Sequence, residues 1–372
     1  MTFQIKGDDE VRTNEEWMDL ALNLAEATIG QTSPNPSVGA VVVKNGELLG
    51  VGTHLKAGGS HAEVHAIAQA GEKAKGADVY VTLEPCAHYG KTPPCAELLV
   101  ESKVNKVYIA CLDPNPKVAG KGVTILQNAG IEVEIGIQEQ RALRINQHFF
   151  HYLAKKRPFI TLKAATTLDG KTATVTGDSK WITSEKARED VHKERHKHDA
   201  ILAGRQTVEK DNPSLTTRLP QGGKSPIRII LDTYLSLTGD LHIFEAHSPT
   251  WMICGNQADK AHFTEKYPDI KVIQLPTEKI ALTDLMEVLA EAKVQSLYVE
   301  GGATIHQAFL KERLFDECHW YIAPKLLGGQ DARSVIGGAS PSTMKAAQQL
   351  QFIDIKQIGP DLKLIAKPKE ES

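Results

Sequence analysis

The sequence predicts an α/β protein made of two consecutive domains, and three observations support that prediction. The chain has 372 residues, about twice the length of an average domain. Helical and strand-like hydrophobic patterns alternate along most of it, as expected where helices pack on mixed or largely parallel sheets. A basic segment that contains a proline, 151–158, interrupts this alternation. We therefore expect domains at 1–150 and 151–372.

The first domain should begin with a helix, followed by a hairpin. Thr13 and Glu16 have the spacing of a capping box, and apolar residues then recur at helical intervals to about Gly30. Asn45-Gly46 joins two short apolar runs and is typical of a tight β-hairpin. The other expected elements are a helix from about Ala62, strand 79–83, a helix from about Cys95, strand 107–110, helix 123–129, strand 131–135 and helix 138–150.

The second domain continues the alternation with more strands. Its expected strands are 159–165, 200–203, 227–232, 250–254, 271–275, 296–300 and 318–322. Its expected helices are 184–196, 281–292 and one from about Ala303.

Composition and charge exclude several classes of protein. Lys plus Arg is 43 and Asp plus Glu is 46, a net charge of −3, so no global basic field draws the chain to nucleic acid or to an anionic membrane. No apolar run approaches the ~20 residues of a membrane span, and no signal peptide pattern opens the sequence. Five cysteines are an odd and sparse set that favours thiolate or metal chemistry over disulfides. We expect a cytoplasmic protein.

A first constellation of residues indicates a zinc site. His61 should open a helix, Cys86 follows a strand, and Cys95 leads into the next helix. One imidazole and two thiolates form the ligand set of a catalytic zinc that keeps its fourth position for water. Glu63 can reach such a water and pass its proton to a departing amine. The alternative is a surface histidine and two small buried cysteines, which four residue types in this order disfavour.

The order of these residues matches the general signature of zinc nucleobase deaminases, H-x-E followed by P-C-x-x-C. It departs from that signature in one respect, because eight residues separate the two cysteines instead of two.

The second half contains no G-x-G-x-x-G after its first strand, so a Rossmann dinucleotide site is not supported. Instead, a strand ends at Gly301-Gly302 and a helix follows. Such glycines let the backbone approach a phosphate, and the helix N-terminus supplies N–H donors, although glycine pairs more often mark simple turns. Arg195 lies in a charged run that is more typical of a solvated helix face, Trp181 could belong to a core, and Asp211 could be a turn residue.

Segments 33–40, 61–66 and 85–95 resemble the deaminase half of the bifunctional riboflavin-biosynthesis deaminase/reductase family, in which the long insertion between the cysteines is itself the pattern. The resemblance implies a cytidine-deaminase-like three-layer domain. It also implies one Zn²⁺ per chain on His61, Cys86 and Cys95, with Glu63 as the proton shuttle. The positions that match the family's substrate contacts are Asn35, His54, His88 and Lys91. Asn35 offers both a donor and an acceptor to a base edge, and Lys91 offers a point charge to a phosphate. Without the resemblance, Asn35 could be a turn residue between two prolines.

Segments 163–171, 177–183, 204–207 and 211–218 resemble the reductase half of the same family, which is similar in fold to dihydrofolate reductase and binds NADPH without the Rossmann fingerprint. The implied NADPH contacts are Ala165, Trp181, Thr207, Asp211, Thr233, Gly302, Ala303, Thr304, Ile305, His306, Gln307 and Ala308. The implied substrate contacts are Lys163, Ser179, Arg195, Leu215, Arg218 and Glu300. Arg195 and Arg218 are candidates for clamping the substrate phosphate.

The resemblance implies deamination of a pyrimidine ribotide, followed by reduction of its ribosyl group to ribityl. Lys163, Asp211 and Glu300 are all candidates for the proton donor of the reduction. We also expect a homo-oligomer, a dimer or a tetramer, that binds neither nucleic acid nor membrane.

Two other functions remain to be weighed. A nucleoside or tRNA deaminase with an RNA-binding second domain predicts a basic stripe with interleaved aromatic residues, which the second half lacks. A chain in which one half has lost activity and serves only in assembly is disfavoured by a set of intact residues: His61, Glu63, Cys86, Cys95, Lys163 and Glu300.

Overall fold

A computed structural model of the chain describes residues 12–89, 93–114 and 119–369. The chain divides into two compact units, Met1–Lys155 and Lys156–Ser372. The boundary expected after residue 150 lies within a helix, Gln147–Lys155, that belongs wholly to the first unit. No helix among the described residues combines the length and the apolar character needed to cross a membrane.

The first unit is a mixed five-stranded sheet between two layers of helices. Its elements are α1 (Asn14–Glu26), β1 (Gly39–Lys44), β2 (Glu47–Thr53), α2 (Ala62–Ala70), β3 (Asp78–Val81), α3 (Cys95–Glu101), β4 (Lys106–Ile109), α4 (Lys121–Asn128), β5 (Glu132–Ile135), α5 (Glu139–Ile145) and α6 (Gln147–Lys155). The strand order is β2-β1-β3-β4-β5, with β1 antiparallel to β2 and β3, and with β3, β4 and β5 parallel.

Both faces of this sheet are apolar because successive side chains of each strand point to opposite sides. Val42 and Val79 pack with α2, α3 and α4 on one face. Val41 and Tyr80 pack with α1 and α5 on the other. The first unit therefore has three layers, helices, sheet and helices, as the family resemblance implies.

Local signals in the first unit form as expected, with two differences. The capping box is confirmed: the Thr13 N–H donates to Glu16 Oε2 at 2.8 Å, and the Glu16 N–H donates to Thr13 Oγ1 at 3.3 Å. The hairpin turn has φ of 51° at Asn45 and 78° at the following glycine. However, α1 ends at Glu26 rather than near residue 30, and the helix expected over 138–150 is broken into α5 and α6 at Asn146.

Close contact between β2 and α2 depends on glycine. A Cβ at Gly50 would lie 2.2 Å from the Ala66 carbonyl oxygen, and one at Gly52 would lie 2.1 Å from that of Ala62. The absence of these side chains lets α2, whose N-cap residue is His61, lie directly on the hairpin.

The second unit is built on a nine-stranded sheet. Its elements are β6 (Phe159–Thr167), β7 (Lys171–Ala173), α7 (Glu185–Lys197), β8 (Ala200–Gly204), α8 (Arg205–Asp211), β9 (Ile227–Leu231), β10 (Thr250–Cys254), α9 (Lys260–Lys266), β11 (Lys271–Gln274), α10 (Leu282–Glu291), β12 (Ser296–Val299), α11 (Ala303–Lys311), β13 (Glu317–Ala323), β14 (Arg333–Ser334), β15 (Leu350–Ile358) and β16 (Asp361–Pro368). The strand order is β11-β10-β9-β8-β12-β6-β13-β16-β15, while β7 and β14 pair separately.

The strands from β11 to β13 in that order are all parallel, and β16 and β15 are added antiparallel. Parallel strands place their carboxyl ends at one edge of a sheet, where α/β proteins bind ligands. The ends of β6, β8, β9 and β12 form that edge here. Buried clusters cover both faces of the sheet, as expected for parallel strands.

Candidate functional site

The three predicted zinc ligands lie together in the first unit. The nitrogen and sulfur atoms of His61, Cys86 and Cys95 are all within 4.8 Å of one another. His61 caps α2, Cys95 is the first residue of α3, and Cys86 lies in the loop that follows β3. His61 Nδ1 is 3.3 Å from Cys95 Sγ and 3.6 Å from Cys86 Sγ, so one ring nitrogen faces both sulfurs.

The charge state of this cluster suits a metal. Hydrogen bonds from Cys95 and His61 lower the pKa of the Cys86 thiol to about 4, despite its burial. One of these donors is the Cys95 backbone N–H, 3.3 Å from Cys86 Sγ, at the start of α3. A thiolate beside an imidazole and a second thiol provides the soft N/S donor set that Zn²⁺ prefers. The residues present therefore fit zinc.

Glu63 lies beside this cluster, in the first turn of α2, and its side chain is buried. Burial first, and then the neighbouring negative charge of Cys86, raise the pKa of Glu63 to about 7, although nearby hydrogen bonds and the charge of His61 oppose this rise. A carboxyl group with a pKa near neutrality can both accept and release a proton at physiological pH.

Two predicted substrate residues adjoin the metal ligands. The ring of His54 packs edge-on against that of His61, with centroids 5.5 Å apart. The His54 Nδ1–H donates to the Ser60 carbonyl at 2.9 Å, so Nε2 accepts from the Asn35 side-chain amide at 3.0 Å. His88 is exposed on the loop before α3. Lys91 lies outside the described residues.

The second unit contains a cleft of about 1310 Å³ at the carboxyl edge of its sheet. That volume exceeds the ~300–1,000 Å³ typical of a site for one small ligand, so it has room for a cofactor and a substrate. The predicted residues that line it are Lys163, Ala165, Ser179, Trp181, Arg195, Thr207, Asp211, Arg218, Thr233, Glu300, Gly302, Ala303, Thr304, Ile305, His306 and Ala308.

Two predicted contacts do not line the cleft with their side chains. The side chain of Leu215 is 2% exposed and belongs to the core beneath β8, β9 and β10. Gln307 points along α11 to the backbone at Gly338, where an added Cβ would lie 2.7 Å from Gln307 Cγ.

An ion-paired triad occupies the centre of the cleft. Glu300 accepts from Arg195 Nε at 2.6 Å, from Arg195 Nη2 at 3.0 Å and from Lys163 Nζ at 3.2 Å. Burial alone would raise the pKa of Glu300, but Arg195 and Lys163 outweigh it and hold that pKa well below its usual range. Arg195 is buried and not on a solvated face. Because its Nε–Nη2 edge is engaged by Glu300, the exposed Arg218 is the better donor for a phosphate.

Sequence reasoning missed two residues of α7 that line the cleft beside Arg195. Arg188 lies over the Trp181 indole, 4.4 Å from its centroid. His192 Nδ1 accepts the Arg218 backbone N–H at 3.3 Å. Burial, followed by the charges of Arg195 and Arg218, lowers the pKa of His192 to about 4. The spacing 188, 192, 195 places all three on one helix face and could have indicated them.

The two glycines before α11 differ in their surroundings. A Cβ at Gly301 would lie 2.5 Å from the Ile305 Cβ, whereas one at Gly302 would meet only Thr207 Oγ1, at 3.6 Å. Gly301 is therefore required by the packing of α11. Gly302 leaves the start of α11 open to the cleft, where free backbone N–H groups attract phosphate.

Family models match both units. Residues 158–364 match the RibD C-terminal domain, and residues 11–111 match the cytidine and deoxycytidylate deaminase zinc-binding region. The chain is 52% identical to the riboflavin biosynthesis protein RibD of Bacillus amyloliquefaciens, over 96% of each chain. It is 44% identical to that of Aquifex aeolicus, over 95% of this chain and 98% of the relative.

Solved structures give the same result. The chain is similar to Acinetobacter baumannii RibD, with a TM-score of 0.88 and 41% identity over 97% of this chain and 100% of the other. It is also similar to a diaminohydroxyphosphoribosylaminopyrimidine deaminase/5-amino-6-(5-phosphoribosylamino)uracil reductase from Thermotoga maritima. In that comparison the TM-score is 0.86 and the identity is 36%, over 95% and 98% of the two chains.

Proposed function

Since this chain belongs to the RibD family of riboflavin biosynthesis proteins, we propose which of its residues carry out each of the family's two reactions. The protein is a bifunctional deaminase and reductase. The first reaction removes the 2-amino group of 2,5-diamino-6-(ribosylamino)pyrimidin-4-one 5′-phosphate as ammonia. The second reduces the ribosyl group to ribityl with NADPH and gives 5-amino-6-ribitylaminouracil 5′-phosphate. The boundary between the two activities lies in the segment that ends α6.

For deamination, His61, Cys86 and Cys95 would hold Zn²⁺. Zinc bound there supplies Lewis acidity that lowers the pKa of a water toward ~7. Glu63 takes a proton from that water and returns it to the departing amine, for which its pKa of about 7 is suited. Asn35 and His54 hold the pyrimidine edge, while His88 and Lys91 hold the ribose phosphate. The observation that supports this assignment of residues is the hydrogen bond between Asn35 and His54, because the His54 ring packs against the ring of His61.

For reduction, residues 302–308 at the start of α11 would hold NADPH, since free backbone N–H groups at a helix start attract phosphate. NADPH bound there would supply the hydride that reduces C1′ of the opened sugar. The cofactor side is completed by Trp181, over which the Arg188 guanidinium lies, and by Thr207, Asp211, Thr233 and Ala165. Glu300 stays ionised because of Arg195 and Lys163, so it is a poor proton donor. Lys163 and Asp211 remain as donors.

The substrate side of the reductase site would consist of Lys163, Ser179, Arg195, Arg218 and Glu300. Arg218 and Ser179 bind the phosphate. Leu215 contributes only through its backbone, because its side chain is in the core.

Mass analysis of the products from the diaminopyrimidine ribotide tests the complete assignment. Without NADPH, the deaminated ribosyl product should accumulate, and with NADPH it should be replaced by the ribityl product. Chelation of zinc should abolish deamination and leave reduction of the pre-deaminated substrate intact. Reduction of the diamino compound itself would contradict the proposed order of the two steps.

We propose a homo-oligomer, a dimer or a tetramer, as the functional state. Strand β15 is the last strand of its sheet in the part of the chain that the structure describes, and its Phe352 and Ile355 are 61% and 57% exposed. Such an edge favours association with a second copy of the same strand. Sedimentation of Phe352→Lys against the unchanged protein tests this, since a charge on the edge should yield monomers.

We propose the cytoplasm as the compartment and small molecules as the only ligands. Zinc binding requires reduced thiolates, and all five cysteines are free, as in a reducing compartment. The near-neutral chain, with a net charge of −3, supports no role in binding nucleic acid.

A further inference from the structure

Asn146 links the end of the first unit to the deaminase site. It lies between α5 and α6, well beyond the residues 11–111 that match the deaminase model, and it is 4% exposed. Its Oδ1 accepts the Ser37 N–H at 2.8 Å, and its Nδ2 donates to the Ser37 carbonyl at 2.9 Å. One buried side chain therefore satisfies both backbone groups of Ser37.

Ser37 ends the loop, residues 33–37, that carries Asn35. The loop is closed at its other end by Thr32, whose carbonyl accepts the Asn35 N–H at 2.9 Å and whose Oγ1 lies 3.1 Å from Ser37 Oγ. With its backbone held in this way, Asn35 directs its Nδ2 to His54. Within the described parts of the chain Asn35 Oδ1 has no hydrogen-bond partner, so it is the atom left for the pyrimidine.

Asn146 itself cannot readily move. Helix α5 is tied to α1 by Arg141, which donates to Asp19 at 2.9 Å and to Glu26 at 3.0 Å. The backbone of Asn146 is held as well, because its N–H bonds the Ala142 carbonyl and its carbonyl accepts from Phe150. The side-chain amide of Asn146 is therefore held in place, and its hydrogen bonds to Ser37 position the loop.

We propose that Asn146 is a positioning residue of the deaminase site, which sets the loop 33–37 so that the Asn35 amide meets the pyrimidine. This inference rests on the proposed function, in which Asn35 binds the substrate. Loss of the amide leaves both backbone groups of Ser37 buried without partners, and the loop must shift to satisfy them. Shifts of that size disturb substrate alignment. The zinc ligands and Glu63 lie on α2, α3 and the loop after β3, so the metal should be retained.

Asn146→Ala tests the proposal, with Asn128→Ala as the matched control, because Asn128 is exposed at the end of α4. Loss of two buried hydrogen bonds should raise KM for the diaminopyrimidine ribotide about tenfold or more. Zinc content should stay at one equivalent, and NADPH-dependent reduction by the same chains should be unchanged. The control should match the unchanged protein in every measurement. A KM within twofold of the unchanged protein overturns the proposal.

A double-mutant comparison with Asn35→Ala separates this inference from the function on which it rests. If Asn146 acts through Asn35, the double variant should have nearly the KM of Asn35→Ala alone. Effects that multiply would show that Asn146 acts by another route and would overturn the inference. An unchanged KM in Asn35→Ala would instead remove the proposed role of Asn35.

Asn146→Asp provides a second variant that keeps the side-chain volume. Its carboxylate can still accept the Ser37 N–H, but it has no donor for the Ser37 carbonyl. We expect KM to rise as in the alanine variant while zinc remains bound. Loss of zinc from both variants contradicts the proposal, because the metal ligands should not depend on Asn146.

Discussion

Glu63 shows how the position of one residue sets its chemistry. An ordinary glutamate is ionised at neutral pH, but this one is the second residue of α2 and its side chain is buried beside the metal ligands. Burial raises its pKa to about 7, which suits a group that must take up a proton and release it within one reaction.

Replacing Glu63 with Gln should separate metal binding from proton transfer. The ligands are untouched, so zinc should remain at one equivalent per chain. Deamination should fall by about 100-fold or more, since general acid–base catalysis contributes ~10²–10⁴-fold. Reduction of the pre-deaminated substrate serves as the internal control and should continue at its normal rate. Deamination within tenfold of the unchanged protein would reject Glu63 as the proton shuttle.

Arg218 differs from Arg195 in having its guanidinium open to the cleft. We expect Arg218→Ala to raise KM for the ribosyl phosphate by about 10- to 150-fold, as for loss of a charge-assisted hydrogen bond, with little change in the Kd for NADPH. Arg218→Lys keeps the charge without the bidentate geometry, so its KM should lie between that of the unchanged protein and that of Arg218→Ala. If NADPH binding weakens and substrate binding does not, the two sides of the cleft have been assigned in reverse.

At the residue level, the sequence contains strong signals for groups that act as a set. His61, Glu63, Cys86 and Cys95 could be predicted because metal chemistry needs those residue types in that order. Asn146 could not be predicted, because its role is to satisfy the backbone of a residue 109 positions away. The charged run around Arg195 is by itself more typical of a solvated helix face, and only the family resemblance implies a substrate contact there, since the run carries no sign of its partner Glu300.

At the scale of elements, one face of helix α7 lines the cleft and another contacts strand β16. Arg188, His192 and Arg195 face the cleft. On another side, Asp190 and Glu194 contact Lys363 of β16, at 2.8 Å and 3.0 Å. Lys363 is 3% exposed. The strand therefore holds the helix that carries the cleft residues.

Lys363→Met should destabilise the second unit by about 3 kcal/mol, because the buried Glu194 loses one of its two cations and the half-buried Asp190 loses its lysine. The matched control is Lys356→Met, an exposed lysine paired with Asp354 on β15, which should change stability by less than about 1 kcal/mol. Urea unfolding in a Trp17→Phe background reports on the second unit alone, since the other three tryptophans belong to it. Equal midpoints for the two lysine variants would contradict this role.

The start of α11 is the element proposed to bind the cofactor phosphates. Gly302→Ala should raise the Kd for NADPH roughly tenfold or more, since its Cβ has space in the fold and would meet the ligand instead. Fluorescence titration with NADPH measures this, and deamination should be unaffected. Gly301→Ala is the contrasting variant. Its Cβ would collide with Ile305, so its main effect should be a lower stability of the second unit. An unchanged Kd in Gly302→Ala would place the phosphates elsewhere.

Most elements could be predicted from hydrophobic patterning, because the strands of the parallel sheet are continuous apolar runs. Strands β15 and β16 could not. Every residue of β15 is exposed or half-buried, so neither an apolar run nor a clean alternation marks it. The helix expected over 138–150 is interrupted at Asn146, where φ is −104° and ψ is 19°, and no glycine or proline in the sequence marks this position.

At the scale of the whole molecule, acid is expected to destabilise the second unit through its buried histidines. The second unit buries His198, whose Nδ1–H donates to the Glu194 carbonyl. Burial lowers the pKa of His198 to about 4, and His192 is shifted in the same direction. The unfolded chain binds these protons first, so the stability of this unit is full above pH ~6.5 and is lost as pH falls toward ~4.

Between pH 7.5 and 4.5, His198 alone should cost the second unit about 2–3 kcal/mol of unfolding free energy. Urea unfolding at both pH values, again in the Trp17→Phe background, measures the change. His198→Gln should reduce it, whereas His262→Gln, at an exposed position, should not. A pH dependence equal in the two histidine variants would remove His198 as its source.

The position of β16 between β13 and β15 has a consequence for the order of events during synthesis. Every residue of the first unit leaves the ribosome before synthesis of the second unit is complete, so the deaminase can fold while translation continues. The reductase cannot do the same. Its sheet stays open at β13, and α7 lacks its buried lysine, until residues 361–368 emerge. A nascent chain therefore carries a finished deaminase ahead of an incomplete reductase, whose long-range pairings also make it the slower of the two to fold.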